Sequence, residues 1–196
     1  MSDGVLYVPE YYEKHEAILG LFEGARGICI EYCSGNGAWV VHKAKMEPHR
    51  LWVAVEWRFE RVRKIWSKTQ NLHLDNLLIV SGEALAFTTH YLPAACVDAV
   101  YVNFPDPWPK DKHAKHRLLQ PPFAAQLARV LREGGSATFV TDDATYVQQM
   151  KEVMQVEACF EGPVCATERP DYGDSYFDQL WREKGRTIHY LDYTKR

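Results

Sequence analysis

The sequence predicts an α/β fold, a mostly parallel sheet with helices on both faces. Short apolar runs alternate with helix-like segments along most of the chain, the pattern of a covered parallel sheet. The last run, residues 187–193, alternates instead and reads as an antiparallel strand added late. With 196 residues, one domain over residues 1–196 is expected, large enough for a substantial core.

Taken in order, residues 11–22 read as a short helix packing onto the domain. Residues 27–32 form a buried strand, 36–46 a helix, 51–55 a strand and 60–70 a helix. Strands follow at 77–80 and 97–103. The second of these must stop at Asn103, because Pro105, Pro107 and Pro109 forbid more helix or central strand. Residues 122–132 read as a helix with apolar positions at 123, 127, 130 and 131, ended by Gly134-Gly135. A strand at 136–141 and a helix at 144–157 complete the alternation.

Composition bounds the function. The chain is 46% hydrophobic and 25% charged, an ordinary globular balance. No apolar run reaches the length of a membrane span, and the N-terminus lacks the charged-then-apolar order of a signal peptide. The five cysteines show no paired metal spacing and read as reduced thiols, so a cytoplasmic protein without membrane or metal is expected. Net charge is −3, so any nucleic acid must meet a local basic patch. The densest run is Lys110 to Arg117.

In a sheet of this kind, ligands bind beyond the carboxyl ends of the strands. Four strand ends carry polar signals. The first is Glu31 followed by the Gly35-x-Gly37 turn, where backbone can approach a ligand. Val40 stands where a nicotinamide-type turn would place its last glycine. The second is Glu56, at a usual position for a carboxylate gripping ribose hydroxyls. Gly82-Glu83-Ala84 is the third, an acid and a backbone N–H suited to an adenine edge. The fourth is Asn103-Phe104-Pro105-Asp106-Pro107-Trp108, a carboxylate and an indole on a stiff loop before the basic run. Each alone reads as an ordinary turn, a solvated acid or core filling; four in register are harder to dismiss. His113 and His116 lie one turn apart but have no acidic or cysteine partner at metal-ligand spacing.

These residues resemble a class I S-adenosylmethionine-dependent methyltransferase, specifically the bacterial tRNA (guanine-N7-)-methyltransferase family. The carriers are Glu31, Gly35, Gly37, Glu56, the Gly82-Glu83-Ala84 turn and the run from Phe104 to Trp108. Lys110, His113, Lys115 and Arg117 extend that signature, as do Thr141-Asp142, Tyr146 and residues 175–178. The resemblance implies a seven-stranded Rossmann-like sheet and methylation of tRNA at guanine N7, position 46 of the variable loop. It implies S-adenosyl-L-methionine bound by Glu31, Gly35, Gly37, Glu56, Glu83, Ala84 and Asp106. Asp106 is the implied catalytic residue, with Lys110, Asp142, Ser175 and Asp178 at substrate-contact positions. Lys110, Lys112, Lys115 and Arg117 are expected to hold phosphates.

The chain departs from the family at several places. Cys33 replaces the first glycine of the turn, and Glu83 a commonly shorter acid. Ser175-Tyr176-Phe177-Asp178 replaces the usual T-x-F-E, and Leu180 a usual arginine. The short N-terminal region leads to the expectation that tRNA is held without an N-terminal arm. Two alternatives stay open: a tRNA-binding module without catalysis, and a methyltransferase with another nucleobase target. Oligomeric state, monomer or homodimer, stays open as well.

Overall fold

A computed structural model describes residues 4–8, 22, 27–173 and 175–196. It contains one eight-stranded sheet, one strand more than expected. The strands are β1 (Val5–Tyr7), β2 (Ile28–Tyr32), β3 (Leu51–Glu56), β4 (Leu77–Ser81), β5 (Val97–Asn103), β6 (Leu131–Thr141), β7 (Phe160–Ala166) and β8 (His189–Lys195). Their spatial order is β1-β4-β3-β2-β5-β6-β8-β7. Strands β1 to β6 run parallel, and β8 lies antiparallel between β6 and β7. The extra strand β1 is only three residues long and has no periodic signal, so tertiary pairing with Ile79 to Ser81 makes it a strand. Strand β7 was likewise missed; Gly162 and Pro163 interrupt its apolar pattern, as suits a sheet edge. The helix expected over residues 11–22 lies outside the described residues except for Phe22. That ring is buried, edge-on to Phe87 at 6.3 Å.

The helices are α1 (Ala38–Met46), α2 (Phe59–Asn71), α3 (Ala84–Tyr91), α4 (Pro121–Val130), α5 (Ala144–Gln155) and α6 (Tyr176–Glu183). Strand side chains alternate between the two sheet faces. Ile28, Ile30, Val53, Val55 and Val100 point to the face covered by α3, α4 and α5, through Phe87, Phe123, Leu127, Met150 and Val153. Cys29, Trp52, Ala54 and Ile79 point to the face covered by α1 and α2, through Trp39, Val40, Ala44, Val62 and Ile65. The central strand β2 is buried at all five positions, which explains its continuous apolar run. Helix α4 starts with Pro121 in its first turn, where a missing N–H costs nothing. It ends at Val130, two residues earlier than the apolar pattern suggests, because Leu131 already pairs with Val97 of β5.

Chain order explains where a site must lie. From β2 the chain winds outward through β3 and β4, then crosses back to β5 and winds the other way. The reversal falls between β2 and β5, and a crevice opens beyond their carboxyl ends.

Candidate functional site

Glu31 and Asn103 end these two strands and meet across the crevice. Asn103 Nδ2 donates to Glu31 Oε1 at 2.7 Å. Tyr172 in turn donates its hydroxyl to Asn103 Oδ1 at 2.5 Å. All three side chains are buried. Glu31 Oε2 is buried too and meets no partner among the described residues. Burial pushes the Glu31 carboxyl up to about 8, the Asn103 bond only partly opposing it, with the nearby Glu56 carboxylate adding to the rise. An orphaned carboxylate oxygen beside a cavity is a seat for a hydrogen-bond donor or a cation.

Two cavities flank this point. The first, about 410 Å³, is lined by Glu31, Ser34, Gly35, Asn103, Phe104 and Ser175 among others. The second, about 580 Å³, is lined by Trp57, Glu83, Ala84, Asp106, Trp108 and Phe123 among others. Cys33 lines both. Its φ of 59° lies in the left-handed region that glycine favours. Burial, then the Glu56, Asp106 and Glu31 carboxylates, push its thiol well up, so it stays neutral.

Gly35 and Gly37 have φ of 56° and 74°. At Gly35 an added Cβ would meet nothing nearer than the Cys33 carbonyl at 3.9 Å, so the missing side chain leaves cavity space. Gly37 is different: a Cβ there would lie 2.7 Å from Ile65 Cγ1, so this glycine lets α1 pack against α2.

Glu56 is buried at the end of β3 and already well satisfied. Its Oε2 accepts from Gly35 N at 2.9 Å, and its Oε1 from Trp57 N at 3.0 Å and Arg58 N at 2.9 Å. Arg61 approaches Oε2 at 3.6 Å. One carboxylate thus ties the glycine turn, which borders the first cavity, to the loop after β3, while Glu56 itself lines neither cavity. Glu83 caps α3, accepting from Leu85 N at 2.9 Å and Ala86 N at 2.5 Å. Helix α3 itself was missed because its apolar residues follow no clear helical period.

The Phe104–Trp108 loop is held in an uncommon shape. Phe104 and Trp108 have φ of 48° and 42°, costing about 1–3 kcal/mol each. Phe104 N donates to Val140 O at 2.8 Å, and Pro105 is buried. Asp106 is exposed at the cavity edge. Trp108 is 37% exposed rather than core filling, and its ring lies 5.8 Å from His113 and 5.4 Å from His116.

Arg117 corrects one expectation. It is buried, donating through Nε to Pro107 O at 2.6 Å and through Nη1 to Gln149 Oε1 at 2.5 Å. Its guanidinium lies 5.0 Å from the Tyr146 ring centre. A side chain so enclosed braces the loop and is not free to hold a phosphate. Lys110, Lys112 and Lys115 are exposed.

The remaining substrate-contact candidates divide. Ser175 borders the first cavity and caps α6, accepting from Asp178 N at 3.0 Å. Asp178 lines neither cavity; its carboxylate accepts from Arg182 Nε and Tyr190 OH, both at 2.6 Å. Asp142 is ion-paired with Arg186 and also lines neither. Lys110 lies beyond both cavities as well. Tyr176 and Phe177 do line the first cavity, and Phe177 sits 6.1 Å from Phe104. Asn103 and Tyr172 were missed as site residues. Asn103 was legible as a strand end, but Tyr172 lies 69 positions away with no local signal.

Among the described residues, no three His, Cys, Asp or Glu side chains gather into a metal-binding group. No helix among them is long and apolar enough to cross a membrane.

Comparison with known proteins gives the site its context. A family profile described as "Putative methyltransferase" matches residues 25–191. The tRNA (guanine-N(7)-)-methyltransferase of Chlamydia muridarum is 47% identical over all of this chain and 91% of its own length. A protein of the same name from Halorhodospira halophila is 32% identical over 90% of this chain and 78% of its own. Among solved structures, the 16S rRNA methyltransferase KamB superposes with a TM-score of 0.67 at 18% identity, covering 96% of this chain and 98% of KamB. The aminoglycoside resistance methyltransferase NpmB1 gives 0.66 at 18% identity, covering 94% and 95%. The structural likenesses fix the fold as the Rossmann-like class I methyltransferase type. On the strength of its full-length kinship, the chain belongs to the tRNA (guanine-N(7)-)-methyltransferase family.

Proposed function

We propose that this protein transfers a methyl group from S-adenosyl-L-methionine to N7 of a guanine in tRNA, at position 46 of the variable loop. The observation that carries the cofactor assignment is the switch-point site, where Glu31 Oε2 is buried without a partner beside a cavity bordered by a glycine turn. Full-length kinship to proteins named for this reaction carries the substrate. A tRNA substrate also fits a cytoplasmic location.

The donor set suits S-adenosyl-L-methionine. Glu31 would accept from its amino group, and Gly35 leaves room for its methionine part. Glu56 would address the ribose by exchanging some of its present N–H partners. Glu83 and Ala84 border the second cavity, whose apolar walls Trp57, Leu85 and Phe123 suit an adenine ring. When bound, this cofactor supplies an electrophilic methyl group on a sulfonium.

The chain's own task is then positional. Guanine N7 has an exposed lone pair and no proton, so no general base is needed to make it nucleophilic. Orienting two bound reactants supplies up to ~7–11 kcal/mol. We assign Asp106 to accept from the guanine N1–H and exocyclic amine, and to stabilise positive charge developing on the purine. Its support is an exposed carboxylate on a braced loop at the cavity edge. Trp108 would wall or stack on the base. Exposing a base engaged in tertiary pairing costs a few kcal/mol, which phosphate contacts offset.

The test is to incubate tRNA with isotope-labelled S-adenosyl-L-methionine and map the modified nucleosides. Label is expected as 7-methylguanosine in the variable loop. Cofactor-independent tRNA binding without label would favour the binding module instead, and label in another base the other methyltransferase reading.

A further inference from the structure

Helix α2 carries a basic flank at the mouth of the first cavity. Val62, Ile65 and Thr69 form its buried face. Arg61, Lys64 and Lys68 follow at spacings of three and four and therefore share the neighbouring stripe. Arg61 and Lys64 line the first cavity together with Tyr176 and Phe177. From Arg58 to Lys68 the chain has five cations and one carboxylate, Glu60, within a protein of net charge −3. The basic character is local and has not been diluted by acids.

The stripe is poorly neutralised by the protein. Among the described residues, no carboxylate forms an ion pair with Lys64 or Lys68, and Arg61 reaches only Glu56, at a long 3.6 Å. Lys68 instead donates to the Asn36 carbonyl at 2.8 Å. Lys64 and Lys68 are one turn apart, a like-charge arrangement that disfavours the helix. Burial and the Lys64 charge together lower the Lys68 ammonium from its ordinary range. An external anion would relieve that repulsion. Tyr176, 55% exposed, lines the first cavity together with Arg61 and Lys64. An exposed ring beside cations suits a nucleic acid.

We infer that this flank of α2 is a second tRNA contact, with Lys64 and Lys68, assisted by Arg61, holding backbone phosphates of the RNA whose guanine is addressed by Asp106 and Trp108. The inference rests on the proposed tRNA substrate. One other anion competes, the carboxylate of the cofactor near Ser34 to Asn36. Arg61 to Lys68 extends over roughly 10 Å of helix axis, more than a single carboxylate can contact. With Arg117 enclosed, the run after Trp108 retains Lys110, Lys112 and Lys115 as exposed lysines. The α2 flank adds cations beside the first cavity, while Lys115 lines the second.

The test uses Lys64→Ala and Lys64→Glu in the full chain, with Arg63→Ala as control. Arg63 is exposed on the same helix but off the stripe. Affinity for tRNA is measured across a salt series, and cofactor affinity by calorimetry. Lys64→Ala should weaken tRNA about fivefold and flatten the log–log salt slope by ~0.7–0.9. Lys64→Glu should weaken it further, and Arg63→Ala should match wild type. Cofactor affinity should stay within about twofold throughout, which also reports that the variants fold. Unchanged tRNA affinity and slope in both Lys64 variants would overturn the inference while leaving methylation of tRNA standing. Loss confined to cofactor affinity would overturn it in favour of the carboxylate. Failure of the wild type to bind tRNA at all would overturn the substrate assignment and this inference together.

Discussion

Replacing Arg117 with Ala should cost stability and turnover together, with no change in the salt dependence of tRNA binding. Arg117 is 5% exposed, and its guanidinium holds the Pro107 carbonyl at 2.6 Å and Gln149 at 2.5 Å. Hydrogen bonds from a charged donor contribute about 1.5–3 kcal/mol each, and a desolvated cation over a ring up to about 2 kcal/mol. Their sum overstates the loss, because Ala also removes a charge that was costly to bury. A net destabilisation of about 2–4 kcal/mol follows. At ~2–4 °C per kcal/mol for a chain of this size, Tm should fall by about 4–16 °C. Turnover should fall as well, since the freed carbonyl sits between Asp106 and Trp108. Arg117→Lys should behave much like Ala, because an ammonium cannot reproduce the fork that spans Pro107 and Gln149. Thermal unfolding by circular dichroism and tRNA affinity over a salt series decide the matter. A phosphate-binding role predicts the reverse, a steady Tm with a slope flattened by ~0.7–0.9. That result, or full rescue by Lys, would refute the bracing role.

Three further outcomes follow from the site. Glu56→Ala should weaken S-adenosyl-L-methionine about tenfold or more by calorimetry, because charge-assisted bonds are lost and the Gly35 turn is untied; unchanged affinity would remove Glu56 from the cofactor site. Asp106→Asn should abolish most methylation while shifting stability by less than about 0.5 kcal/mol, since the side chain is exposed; near-normal turnover at saturating cofactor and tRNA would end its catalytic assignment. Glu31 holds its proton in the fold up to about pH 8 but releases it near 4.5 when unfolded. The unfolded state therefore binds fewer protons across that window, and the group's contribution to stability declines as pH rises from about 4.5 to about 8. Urea unfolding of Glu31→Gln without cofactor should show a shallower decline than wild type, and parallel pH profiles would contradict the raised value.

The parts of this protein that sequence reveals are those where local pattern and tertiary context agree. Residues 97–103 had to be a strand, because the apolar run and the prolines after it set the same limits that the structure gives β5. The acids at the ends of β2 and β3 were legible as strand-closing carboxylates, but not the burial of both or the three backbone N–H groups that Glu56 accepts. Pattern fails where identity alone cannot reveal environment. Arg117 and Lys115 look alike in a basic run, yet one lies under the loop against Tyr146 and the other faces outward. The difference comes from Gln149 on α5, a long-range contact that no local spacing encodes. Sequence places Ser175 and Asp178 in one substrate segment, but a single turn of helix sends the carboxylate to Tyr190 and Arg182 while leaving the hydroxyl at the cavity. Tyr172 carries the lesson furthest. Its hydroxyl completes the chain through Asn103 to Glu31, so the segment leading into α6 is tied to the acid at the switch point. One loop therefore borders the first cavity with Ser175 and, three residues earlier, fixes the orientation of its buried carboxylate. The chain of bonds is built by topology from residues that sequence leaves far apart.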